Sequence, residues 1–229
     1  MNWEVIIKYL PKLLEGAWLT LELVGIAVIA GLILAIPLGV ARASQHWYVR
    51  VFPYSYIFFF RGTPLLVQLF LVYYGLPQFD IIREGPLWPY LRSPFWCAAI
   101  TMTLHTAAYI AEIIRGAIQA IPAGEIEAAR ALGMSKWQTL IYITMPRATR
   151  IGLPAYSNEV ILMLKASALA STITLLELTG MARTIIARTY LPVAIFFAAG
   201  LFYLLISYLL VLGFKQLERY LRVDACQGR

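Results

Sequence analysis

The feature that most limits what this chain can become is the stretch Thr189–Phe214, which contains no charged side chain at all. A helix rises 1.5 Å per residue, so roughly 20 apolar residues cross the hydrocarbon core of a bilayer. Leu23–Ala41 is uncharged as well, Ser93–Ala111 contains only His105 as an ionisable imidazole, and Val51–Phe79 is interrupted by a single charge, Arg61. Four such stretches in a chain of 229 residues leave no length for a sizeable water-soluble domain. Charged residues make up 14% of the chain, where a soluble domain carries roughly 25%. A mean hydropathy of +0.73 agrees. A water-soluble enzyme, a nucleic-acid binder and a disordered regulator are excluded on these grounds. The net charge of +7 does not reopen the nucleic-acid reading. The basic residues lie between apolar segments, where they anchor loops at a membrane surface.

Between 137 and 180 the pattern weakens. Trp137–Pro146, Ile151–Leu164 and Ala166–Leu176 are each short and broken by charge. One further span is read there, with Glu159 inside it. The expectation is a single all-α transmembrane domain over 1–229 with five spans, at about 17–41, 52–79, 93–116, 151–171 and 190–215. With the C-terminus inside, the inner segments hold eleven Lys and Arg and the outer segments six. That asymmetry places the N-terminus outside. The N-terminus lacks a basic region of the signal-peptide kind and is expected to be retained. Cys97 and Cys226 fall on opposite sides, which argues against a disulfide between them. Trp3, Trp18, Trp88 and Trp96 fall at outer span ends, Trp47 and Trp137 at inner ones, as an aromatic belt requires.

The longest inner segment, about 115–150, is not a linker. Pro122 and Gly124 break the preceding helix, and residues 125–132 are good helix formers with acids in the first turn. Gly133 suits the position just past a helix end. A two-turn helix over about 124–133 is predicted, with Ala128, Ala131 and Leu132 as a small apolar face. A helix this short is marginal alone and needs a partner surface.

Four motifs in order carry a resemblance. Glu127-Ala128-Ala129, then Gly133, Ile143 and Met145-Pro146, is similar to the EAA signature of ABC-importer membrane subunits, with Met145 where Leu is usual. Phe60–Gln68 (FRGTPLLVQ) and Tyr109–Gly116 (YIAEIIRG) resemble the polar amino-acid permease family. Leu153–Leu164 (LPAYSNEVILML) most resembles the M-type permeases of histidine/lysine/arginine/ornithine and opine systems. The resemblance runs over roughly residues 15–220. It implies a type I ABC-importer permease fold in the bacterial inner membrane. It implies a second permease chain, often a Q-type heterodimer partner, two ATPase subunits and a periplasmic amino-acid-binding protein. The helix bearing Glu127, Ala128, Ala129 and Gly133 would dock on the ATPase. The chain has no Gly-x-x-x-x-Gly-Lys-Ser/Thr string, so ATP and magnesium are expected in the partner ATPase and no cofactor here. The implied cargo is a basic amino acid, or an opine or other polar amino acid.

Charges at bilayer depth are functional candidates. Glu159 lies nine residues from Arg150 and Arg61 ten from Val51, so about 13 and 15 Å deep. Either Glu159 holds the cationic side chain of the substrate, or it pairs internally with Arg61 or Lys165. Gly62 and Pro64 interrupt the second span. With Thr63 as N-cap and Pro64 as first helical residue, a half-helix would aim its N–H groups at the substrate carboxylate; a plain proline kink is the alternative. Gln68, Asn158 and Tyr109 complete the candidate substrate-binding set. Thr101, His105, Tyr109 and Glu112 form one helical stripe. An ion pair with Arg115 is expected for Glu112, and a hydrogen bond within the bundle for His105. His46, His105 and two distant cysteines make no metal site. An intramembrane enzyme built on His105 and Glu112 lacks a nucleophile motif. A stand-alone channel or secondary transporter would leave the cytoplasmic helix without a purpose.

Overall fold

A computed structural model describes residues 3–221. Residue 2, Arg222, Cys226 and Arg229 lie outside the described residues, and with them the readings made on Cys226 and on those two inner charges. All regular elements among the described residues are helical.

The first helix, α1 (Trp3–Arg42), begins well before the expected 17. Its early turns are apolar on one side, and Ile6, Leu13 and Ala17 are buried against the last two helices, which extends the helix past the purely apolar stretch. The second span is not straight. Helix α2 (Trp47–Gly62) ends at the predicted interruption, and α3 (Leu65–Phe70) continues through a π turn, Leu71–Gly75, and a 3-10 turn, Leu76–Gln78. The two halves meet at 99°. Short helices α4 (Asp80–Arg83) and α5 (Trp88–Leu91) lead into α6 (Pro94–Gln119).

Helix α7 (Ala123–Ala131) is the predicted short helix. Gly133 follows at φ +82, a left-handed conformation that a side chain would strain. A capping box on Ser135 starts α8 (Lys136–Gln138). A π turn, Thr139–Thr144, joins α8 to α9 (Met145–Ala166), which tightens into a 3-10 turn over Ser167–Ile173. The span expected at 151–171 is therefore longer at both ends. After it comes α10 (Leu178–Thr189), bent by 49° from the segment before it. The charge pattern, with Arg183 and Arg188, marks this region as outer loop. It is a helix because Leu178, Ala182 and Ile185 repeat at helical spacing and are buried against α1 and the last helix, α11 (Pro192–Leu221).

Three helices (α1, α6 and α11) are long and apolar enough to cross a membrane, and the two bent pairs bring the number to five if each pair is one crossing. Helices α1 and α6 run parallel and very close. A Cβ at Gly31 would lie 3.2 Å from Thr106 Cγ2, and one at Gly39 would lie 2.8 Å from the Ala111 carbonyl oxygen. Small residues let helix backbones approach this far. Helix α9 runs the other way along α6, with Ala148 beside Ala117 and Ile121, and Val160 to Leu164 in the core shared with Ala98 to Met102.

The bend before α10 is closed by Glu177, which is fully buried. Its carboxylate accepts hydrogen bonds from the Thr179 N–H at 2.9 Å, the Gly180 N–H at 2.8 Å and the Tyr203 hydroxyl at 2.9 Å. Thr20 Oγ1 accepts from the Leu178 N–H at 3.1 Å. No reading of the sequence singled out Glu177.

Candidate functional site

The break between α2 and α3 organises the polar residues of the bundle. Helix α2 ends at Gly62, and Thr63 and Pro64 are extended, at ψ 141 and 136. Pro64, not Thr63, is the cap residue, so the predicted assignment of Thr63 as cap and Pro64 as first helical residue shifts by one. The reason is local. The Thr63 hydroxyl donates to the Phe59 carbonyl at 2.8 Å and its oxygen accepts from Gln68 Nε2 at 2.7 Å, and among the described residues α3 starts at Leu65 without a side-chain cap.

Gln68 sits one turn into α3, 4% exposed. Its amide nitrogen lies 2.9 Å from the Phe60 carbonyl, 3.1 Å from the Thr63 carbonyl and 2.7 Å from Thr63 Oγ1. Carbonyls orphaned at the end of α2 thus receive a donor. The Gln68 carbonyl oxygen accepts from His105 Nδ1 on α6 at 3.0 Å, which is the bundle hydrogen bond expected for His105. The His105 ring packs on Tyr109, centroids 4.9 Å apart, and the Arg61 guanidinium lies over the Tyr109 ring at 5.1 Å. Arg61, Thr63, Gln68, His105 and Tyr109 are therefore one connected cluster.

Glu159 is buried on α9, 7% exposed. Among the described residues it forms no ion pair and no hydrogen bond; neither Arg61 nor Lys165 reaches it at salt-bridge distance. Asn158, the neighbouring candidate, is exposed on another side of α9, as are Lys165 and Pro154. The structure therefore does not bring Asn158 to the same face as Glu159. Gly62 and Arg61 are exposed too.

One turn beyond Tyr109, Glu112 pairs with Arg115 at 2.7 Å, as expected, and also faces Arg42 of α1 at 3.5 Å. The sequence reading missed Arg42, whose position at the end of α1 marked it only as a loop anchor. Of the signature residues, Ala129 is buried while Glu127 and Ala128 are exposed, and Ala131 and Leu132 of the predicted apolar face are exposed as well. Helix α7 is held to the start of α9 by Arg147 on Glu125, bidentate at 2.6 and 2.9 Å. Cys97 is buried, its thiol donating to the Leu91 carbonyl.

This geometry can be set beside known proteins. The octopine transport system permease protein OccM of Rhizobium meliloti is 47% identical over 216 residues, covering 94% of this chain and 86% of that one. The histidine/lysine/arginine/ornithine transport system permease protein HisM of Salmonella typhimurium is 43% identical, covering 94% and 95%. A crystal structure of an amino acid ABC transporter with histidines superposes with a TM-score of 0.85 at 34% identity, over 96% of this chain and 99% of that chain. Residues 27–223 match the family described as binding-protein-dependent transport system inner membrane component. With the helical bundle, the broken span and this match over most of its length, the chain belongs to that family of inner-membrane transport components.

Proposed function

We propose that the chain is one of two pore-forming subunits of an ATP-driven importer, and that it passes basic amino acids across the inner membrane. The observation that carries this is Glu159, a carboxylate buried at mid-span with no partner of its own among the described residues. An ionised group at that depth needs a counter-charge, and a lysine, arginine or ornithine side chain supplies one. The first-turn N–H groups of Leu65 and Leu66 precede any intrahelical bond and point the start of α3 toward a substrate carboxylate. Thr63, Gly62 and Pro64 shape that break, Gln68 holds it, and Arg61 and Tyr109 wall it.

Five crossings with the N-terminus outside fit the shared direction of α1 and α6, the opposite direction of α9 and the surplus of inner Lys and Arg. Arg61, Asn158 and Lys165 are exposed on this chain at bilayer depth. Lipid contact is costly for such groups, so this face takes the second permease chain, a Q-type partner. At the inner end, α7 offers Glu127, Ala128 and Leu132 to an ATPase subunit, which holds ATP and magnesium. A periplasmic binding protein delivers the cargo on the outer side. Similarity to the octopine permease favours a second reading, in which an opine is the cargo.

The test is ATPase activity of the reconstituted complex, with its binding protein, against arginine, lysine, histidine, ornithine, octopine and a neutral amino acid. Stimulation by the cationic compounds alone is expected. Equal stimulation by the neutral amino acid, or uptake without ATP, overturns the reading.

A further inference from the structure

A second polar cleft lies toward the inner end of the bundle. It has a volume of about 360 Å³ and is lined by Arg42, Tyr54, Phe58, Arg61, Gly62 and Glu112, among others. That is at the lower end of the range for small-molecule sites, roughly 300–1,000 Å³. The cleft begins at the helix break, at Gly62, and ends at the Arg42–Glu112 pair. Glu112 is seven residues past His105 on α6, or about 10 Å further toward the inner face. Tyr109 and Arg61 stand between the two levels, in contact with one another. The cleft therefore continues from the cluster around the break toward the inner surface.

The Arg42–Glu112 pair is not built as a structural clamp. The chain shows what such a clamp is like in Arg147–Glu125, which is bidentate at 2.6 and 2.9 Å. Arg42 approaches Glu112 Oε1 only to 3.5 Å, and its Nε is buried with no hydrogen-bond partner among the described residues. Its guanidinium is held in place by the Tyr54 ring at 5.0 Å. Glu112 is held by its other oxygen, on Arg115 at 2.7 Å. Two opposite charges are thus each held from behind and meet at 3.5 Å in the wall of the cleft, one with a buried donor that has no hydrogen bond among the described residues.

We propose that Arg42 and Glu112 form a second amino-acid subsite, on the inner side of the Glu159 level, which receives the backbone of the substrate as a zwitterion before release. The α-carboxylate accepts from the Arg42 guanidinium, whose fork suits a carboxylate. The α-ammonium donates to Glu112 Oε1. The zwitterion parts the Arg42–Glu112 contact and puts two charge-assisted hydrogen bonds in its place. This subsite reads only what all α-amino acids share, so selection for a cationic side chain stays with Glu159. The inference rests on the importer reading, and its test separates the two.

The experiment is equilibrium binding of radiolabelled arginine to the full complex, permease chains with ATPase subunits, in lipid nanodiscs without binding protein. Wild type is compared with Glu112→Gln, Arg42→Lys and Glu159→Gln. Glu112→Gln and Arg42→Lys are each expected to lose one arginine per copy of this chain while keeping the site that depends on Glu159. Glu159→Gln is expected to lose the other. Arg42→Lys keeps a positive charge opposite Glu112, so it decides the matter if Glu112→Gln fails to assemble. Agmatine, which lacks the carboxylate, should leave the Arg42 subsite unfilled in wild type. Wild-type stoichiometry in Arg42→Lys, or a wild-type complex whose only arginine in this chain is lost with Glu159→Gln, overturns the second subsite. Wild-type stoichiometry in Glu159→Gln overturns the Glu159 reading instead.

Discussion

Replacing Glu159 by Gln removes one charge and almost no volume. Little else inside the chain goes with it: Glu159 has no ion pair or hydrogen bond among the described residues, and the Arg61 guanidinium, which rests on the Tyr109 ring, acts on it only through space. The consequence for assembly is therefore small. The consequence for a cationic cargo is large, because a hydrogen bond to a charged group contributes about 1.5–3 kcal/mol. At about 1.4 kcal/mol per tenfold, binding of arginine weakens roughly 10- to 100-fold. A structural ion pair would behave in the opposite way. Removing one partner of a buried pair costs about 3–5 kcal/mol, enough to abolish assembly of a marginal bundle. Complex yield and thermal stability are measured first, then uptake of arginine and of a neutral amino acid into proteoliposomes. Near-normal assembly with a selective loss of arginine uptake is the expected result. Poor assembly, or arginine uptake at the wild-type rate, refutes the reasoning.

Gly39→Ala should lower thermal stability by about 1–3 kcal/mol, as overpacking does, because its Cβ would sit 2.8 Å from a backbone carbonyl of α6. Gly25→Ala, with nothing within 4 Å, is the neutral control in the same unfolding assay. Gly133→Val places a β-branched side chain at φ +82, a conformation such residues essentially avoid; the chain should insert normally but retain less ATPase in a pull-down. A cysteine at Glu84 should label with an impermeant thiol reagent added from the periplasmic side and one at Lys136 should not; reversed labelling overturns the orientation.

The long spans were legible because a bilayer imposes a length and a composition that few other environments demand. α1, α6 and α11 could be read from apolar runs alone. The region 137–180 was weak for the same reason in reverse. Asn158, Lys165 and Arg150 are exposed on α9 and dilute its apolar signal without making it a loop, because Leu153, Val160, Met163 and Leu164 are buried in the bundle. Helix α10 was lost because Arg183 and Arg188 marked it as an outer connection, although Leu178, Ala182 and Ile185 already carried a helical repeat. The short inner helix was legible to within two residues, since proline, glycine and acids punctuate it locally. What no local pattern discloses is which polar side chains meet across helices. Gln68 and His105 are 37 positions apart, and the Arg42–Glu112 pair is set by the packing of Gly31, Ala35 and Gly39 on α6.

The two breaks in the bundle differ in how their free backbone groups are met. Irregular backbone at membrane depth is tolerated only where its polar groups find partners in protein or a cavity. A helix end leaves carbonyls that need donors, and a helix start leaves N–H groups that need acceptors. At the bend before α10, Glu177 supplies the acceptor for the Thr179 and Gly180 N–H groups, and Tyr203 donates to the same carboxylate. That helix start is closed by the protein's own anion and has no vacancy for another. At the break after α2, the donor comes from Gln68 and serves the carbonyls of Phe60 and Thr63. Among the described residues no side chain caps the start of α3. The chain has therefore satisfied the outgoing end of this break and left the incoming end open, in a bundle that also buries the Glu159 carboxylate without an ion pair or hydrogen bond among the described residues. An amino acid with a free carboxylate and a cationic side chain is complementary to both.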